Sequence, residues 1–171
     1  MLEALLARRL ARGGVNADVH SAGVSAVTGR EPLPEIVTVM REHGIDVSGH
    51  QSRVLTDDLV RKADLVVGLS REHVREAVVL EPDAFARTFT MKELVRRGSQ
   101  AGGRANGTPL TAWLASLVAD REIDDLLGSA DYDDVEDPVG RPVAAVRRTA
   151  TELSQLASDG VALLWPEAAE P

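Results

Sequence analysis

The sequence predicts an α/β fold, a layered sandwich with a short parallel sheet flanked by helices. Three observations carry that reading. Helix and strand signals alternate along the chain. The run Ala63–Leu69 (ADLVVGL) has almost no polar member, as suits a strand buried on both faces of a parallel sheet. The hydrophobic content of 44% is nearly all aliphatic, because aromatics make up only 3%. With 171 residues and no internal repeat, the chain is one domain, 1–171, with enough apolar material for a sizeable core.

Taken in order, the elements justify themselves locally. Leu2, Leu5, Leu6 and Leu10 recur at helical spacing, Arg8, Arg9 and Arg12 fill the other side and the end, and Gly13-Gly14 stops the helix. Ala17–Gly23 is a short strand. Leu33–His43 is helical, with Ile36, Val37 and Met40 as its apolar stripe and Gly44 as its end. Residues 49–53 are a loop, and Thr56 caps a short helix through Arg61 by accepting from a free backbone N–H. After the Ala63–Leu69 strand, Ser70 caps a helix to about Leu80. Arg87 to Met91 is a second short strand, with Lys92–Arg97 helical after it. The stretch GSQAGGRANGTP, 98–109, is expected to be a flexible insertion loop. Pro109 opens a helix carrying Leu110, Trp113, Leu114, Leu117 and Val118. The final helix runs from Pro142 to Ala157 or beyond, and the tail after Pro166 is expected to fray.

Composition removes several kinds of function. The formal net charge is −8, which argues against a duplex-binding surface and a nucleic-acid partner. No apolar run approaches membrane-spanning length, so no membrane partner is expected. The opening residues carry arginines where a secretory signal has its apolar stretch, so the chain is read as cytoplasmic. There are no cysteines, hence no disulfides, no thiolate metal site and no thiol nucleophile in these residues. His20, His43, His50 and His73 form no ligand pair on one helix face, so no metal and no cofactor are expected. The glycine-rich stretch lacks the lysine of a nucleotide P-loop. Asp131, Asp133, Asp134, Glu136 and Asp137 lack the offsets of a calcium loop, and the first of these acids read as solvated.

What remains is Glu136-Asp137-Pro138-Val139-Gly140-Arg141-Pro142. Alone it is a plain turn, in which Pro fixes φ and Gly relaxes the exit. Its company changes that. MLEALLARRLA, VHSAGVSA, VMREHGIDVSGHQSRVLT, ADLVVGLSREH and DVEDPVGRP stand in the order found in the low-molecular-weight protein-tyrosine phosphatase family, and each resembles the matching family segment. The same shape is shared by thioredoxin-coupled arsenate reductases, which these motifs separate less well.

The resemblance implies phosphomonoester hydrolysis, with a phosphorylated protein or a small phosphomonoester as substrate. In the family, a strand and a Cys-x5-Arg-Ser loop lead into the first helix. The helix N-terminus holds the cysteine as a thiolate, which attacks phosphorus. The loop N–H groups cradle the anion and the arginine forks two of its oxygens. An aspartate of the Asp-Pro loop protonates the leaving oxygen and then activates water. Carried over position by position, Asp137 matches the general acid, and Ser21 and His50 match residues that support the phosphate loop. Val139 departs from the pattern, because members acting on tyrosine often carry an aromatic residue there. Met1 falls just inside the family's first helix. The expectation is therefore an N-terminally truncated domain that lacks the central first strand, the nucleophile and the phosphate loop, and is inactive alone. Open sheet edges would favour self-association. Three readings stay open: a gene start placed at an internal methionine, a non-catalytic pseudophosphatase or partner-binding module, and an unrelated α/β binding module.

Overall fold

The computed structural model describes residues 1–128 and 130–169. Seven α-helices surround a two-stranded sheet among these residues: α1 (Leu2–Arg12), α2 (Pro34–Glu42), α3 (Asp57–Lys62), β1 (Val66–Gly68), α4 (Arg71–Leu80), β2 (Thr88–Thr90), α5 (Met91–Ala101), α6 (Leu110–Leu117) and α7 (Val143–Leu164). The strands are parallel, with Val67 opposite Phe89. The crossover between them is α4, as a parallel pair requires. The predicted α/β layering with a small parallel sheet is what the chain adopts.

Caps set two helix starts where the sequence places them: Thr56 Oγ1 accepts from Leu59 N and Ser70 Oγ from His73 N. A third cap lies outside the sequence expectation: Thr90 Oγ1 accepts from Glu93 N, so α5 begins at Met91, which the sequence alone places in the strand. The core is mostly aliphatic and falls into several clusters. One gathers Leu5, Met40, Val47, Val135, Leu153 and Ala157, and another gathers Phe89, Leu94, Trp113, Leu114, Leu117 and Leu164. Below the second, the fully buried Arg121 guanidinium lies 3.1 Å from Glu93 Oε2 and stacks between Phe85 and Phe89.

Four expectations need correction. Ala17–Gly23 is not a strand: residues 17–22 are irregular, and Gly23 makes a single parallel bridge to Val54. A strand needs a continuous partner, and this segment finds one residue of it. The Ala63–Leu69 strand shrinks to Val66–Gly68, whose two valines are half-buried rather than enclosed on both faces. The loop expected at 98–109 is shorter, since α5 continues through Ala101. Gly98 is buried there, and a Cβ would stand 3.1 Å from Leu163 Cδ1 and 3.2 Å from Trp113 Cη2, so any larger residue must push these side chains of α7 and α6 aside. Arg104 then ties the remaining loop to α7, donating from N to Leu163 O at 2.7 Å and from Nε to Leu164 O at 2.8 Å. Finally, Asp133 is not solvated but buried. The last helix runs to Leu164, followed by a 3-10 turn at Pro166–Ala169. The end of the tail expected to fray, residues 170–171, lies outside the described residues. No helix among the described residues is long and apolar enough to cross a membrane.

Candidate functional site

Two of the three site residues taken from the sequence come together. Ser21 Oγ donates to Glu3 Oε2, and His50 Nδ1 lies 3.6 Å from the same oxygen. Glu3 sits in the first turn of α1, where a carboxylate is favoured by the positive end of the helix dipole. Ser21 is delivered by the irregular 17–23 segment and His50 by the loop after α2. Those two segments are stitched by Gly23 N to Arg53 O at 2.9 Å, Leu55 N to Gly23 O at 3.0 Å and Arg53 Nε to Ser21 O at 2.7 Å. All three side chains of this corner are half-buried, so each keeps donors or acceptors for a further partner.

Asp137 stands apart, with no hydrogen bond or ion pair to that corner among the described residues. Its carboxylate is exposed and Oδ1 accepts from Val139 N at 3.0 Å, an Asx turn across Pro138. The loop leading to it is held far more firmly than its sequence suggests. Val135 N donates to Leu69 O at 2.7 Å, which docks the loop at the carboxyl end of β1. Asp134 Oδ1 accepts from Arg71 N at 2.8 Å, and Lys92 Nζ donates to Asp134 O at 2.7 Å. Asp133 receives Arg71 Nη2 and Arg96 Nη2, each at 2.9 Å, on its two oxygens. The Arg71 guanidinium also lies over the Tyr132 ring and donates to its hydroxyl at 2.6 Å. Val135 shares the apolar cluster of Leu5, against which Met1 and Leu2 also pack. The root of the Asp137 loop and the first turn of α1 therefore rest on one core.

Chemically, the described residues offer an exposed carboxylate on a loop fixed at its base and, apart from it, a helix start ringed by a hydroxyl, an imidazole and a carboxylate. The chain contains no thiol. No group of His, Cys, Asp and Glu able to hold a metal ion occurs among the described residues. Glu3 escaped the sequence reading because an acid in a first helical turn is ordinary. The Arg71–Asp133–Arg96 clamp escaped it because its members lie far apart in the chain and the acids around Asp133 imply exposure.

Residues 1–103 match the low molecular weight phosphotyrosine protein phosphatase family, a span that includes Glu3, Ser21 and His50 and stops short of Asp137. The probable low molecular weight protein-tyrosine-phosphatase EpsP of Ralstonia solanacearum is 38% identical over 94 residues, covering 55% of this chain and 62% of that protein. The protein-arginine-phosphatase of Bacillus subtilis is 33% identical over 96 residues, 56% of this chain and 63% of that protein. The chain thus spans less than two thirds of the length of these curated relatives. The solved structure of a low molecular weight protein tyrosine phosphatase from T. tengcongensis superimposes with a TM-score of 0.68 at 28% identity, covering 92% of this chain and 85% of that one. With more than half of its residues matched in sequence and its layers matched in space, this chain belongs to the low molecular weight phosphotyrosine protein phosphatase family.

Proposed function

We propose that these residues supply the proton-transfer and supporting half of a phosphomonoesterase site that works through a phosphocysteine. Asp137 is the general acid: it protonates the leaving oxygen as the phosphoryl group moves to sulfur, then takes a proton from the water that attacks the phosphocysteine. Ser21 and His50, gathered on Glu3, steady the base of the phosphate loop. The observation that carries this reading is the meeting of Ser21 and His50 on one carboxylate in the first turn of α1.

The thiol must come from outside these 171 residues, which contain no cysteine, so the chain alone does not turn over. A proton donor without a nucleophile has nothing to serve. The substrate is a phosphorylated protein. Val139, 62% exposed beside the acid, offers an aliphatic wall and no ring for stacking, which favours a side chain other than phosphotyrosine. The relatives named above include both a tyrosine and an arginine phosphatase by name.

The test has two arms. The chain alone, assayed on an aryl phosphate, shows no turnover. Joined to a strand and a Cys-x5-Arg-Ser loop ahead of Met1, it turns over, and Asp137→Ala lowers kcat by about 10²–10⁴-fold. Turnover by the chain alone that vanishes on Asp137→Ala would overturn the reading. A second reading, a non-catalytic partner-binding protein, draws on β1, which is paired on one edge only among the described residues. A soluble, cooperatively melting chain that stays silent after joining would favour it.

A further inference from the structure

The far half of α1 carries a charged cluster that none of this chemistry uses. Arg8, Arg9 and Arg12 follow Leu5 at intervals of three, four and seven residues, so they share one face of the helix. That face packs on α7, and a cavity of about 40 Å³ opens between the two helices. The three arginines stand around it, and Ser154 and Ser158 bring hydroxyls from α7. The buried Leu5 and Ala157 line its inner side.

In a chain of net charge −8, basic side chains are expected to find acids. Among the described residues these three find none, although most other arginines here are ion-paired. Arg8 Nη1 donates to the His43 carbonyl, and Arg9 Nη2 donates to Ser158 Oγ at 2.6 Å. A guanidinium has five donors, so most of this set remains unspent. Burial first, then the charges of Arg12 and Arg9, push the Arg8 pKa below its ordinary value, a sign of positive crowding. The electronegative end of α1 favours cations nearby, but it does not call for three of them around one cavity.

We propose that this cleft binds a phosphate-class oxyanion. Its charge is met by the three guanidinium groups, and its oxygens by their N–H donors and the two serine hydroxyls. The cavity holds about three waters' worth of space, which suits one tetrahedral anion in place of those waters and not an extended acidic chain. The three arginines lie roughly 8–14 Å from Glu3 along α1, at 1.5 Å per residue, so the cleft is a separate site and does not rest on the proposed Asp137 chemistry. Free inorganic phosphate and the phosphoryl group of a modified protein offer the same chemistry.

Isotope-labelled chain titrated with inorganic phosphate, and separately with a phosphoserine peptide, tests this by NMR. The Nε–H signals of Arg8, Arg9 and Arg12 and the amides of Ser154 and Ser158 should move and saturate. Sodium chloride at matched ionic strength should leave them in place. Arg9 and Arg12 are exposed, so Arg9→Gln with Arg12→Gln keeps the remaining spectrum and weakens phosphate binding by about tenfold or more. Tighter binding of the peptide assigns the anion to a modified protein, and tighter binding of phosphate assigns it to the free ion; both uphold the site. Absent or unsaturable shifts, equal shifts with chloride, or affinity that survives the double substitution would overturn it.

Discussion

The acid loop and the Glu3 corner are built from the same kinds of groups, yet they are held in opposite ways. Asp133 is 4% exposed and takes a guanidinium on each oxygen at 2.9 Å. Glu3 keeps 29% of its side chain exposed, faces an imidazole at 3.6 Å and accepts from one hydroxyl. A buried carboxylate with two charged donors fixes a loop, because removing either side leaves the other uncompensated in a poorly solvating interior. A half-buried one with a distant imidazole can exchange its partners for water at little cost. The contrast teaches where rigidity resides. The Asp137 loop is braced from below by Leu69 and by basic side chains of α4 and α5, whereas the Glu3 corner remains open to further partners.

The largest test strikes the braced side. Asp133→Ala leaves Arg71, 12% exposed, without its carboxylate, while Arg96, 39% exposed, can turn to water, and should cost about 2–3 kcal/mol in chemical denaturation. Asp133→Asn keeps the shape and some hydrogen bonding, so it should fall between that variant and the native chain. A loss for Asp133→Ala below about 1 kcal/mol would mean that the clamp is no firmer than a surface pair.

The second test strikes the open side. Glu3→Gln keeps a hydrogen-bond acceptor for Ser21 and removes only the charge facing His50. Its cost should stay within about 1 kcal/mol, the ordinary worth of a partly solvated pair or a single neutral hydrogen bond. The same denaturation series measures it. A loss that rivals Asp133→Ala would erase the distinction between the two regions.

Helices were the legible part of this sequence. The caps Thr56 and Ser70 and the stripes of α1 and α2 follow from local spacing, and they appear where expected. Strands were less legible, because a strand's existence depends on its neighbour. The 17–23 segment has strand-like residues and a single bridging partner, Val54. Gly98 reads as a loop signal locally, yet its meaning lies in Trp113 and Leu163, which no local pattern reveals. In the site, Ser21 and His50 could be matched by motif, but Glu3 as their meeting point required three dimensions. The buried role of Asp133 was hidden for a related reason: charge composition describes an average surface and does not say which acid finds two arginines.

The smallest effect lies at the surface between α2 and α7. Arg147 on α7 donates through Nε and Nη2 to both oxygens of Glu42 at the end of α2, at 2.9 and 2.8 Å. Those hydrogen bonds, the leading cause, hold the Glu42 carboxyl below its ordinary value of 4.5. A carboxyl whose folded pKa is depressed favours the folded state above its unfolded pKa. That contribution fades as pH falls through the folded value. Asp46, Asp57 and Asp120 are lowered as well, so the native chain's acid sensitivity is shared among several groups. Comparison with Glu42→Gln separates this one. The gap in denaturation midpoint between native and variant should be present near pH ~7 and close toward pH ~3, because the native carboxyl gains a proton there and the amide does not change. Both partners are about half exposed, so salt should narrow the neutral-pH gap, which it should not do for the buried Asp133 clamp. A gap that stays constant with pH would show that Arg147 holds Glu42 by packing and not by charge.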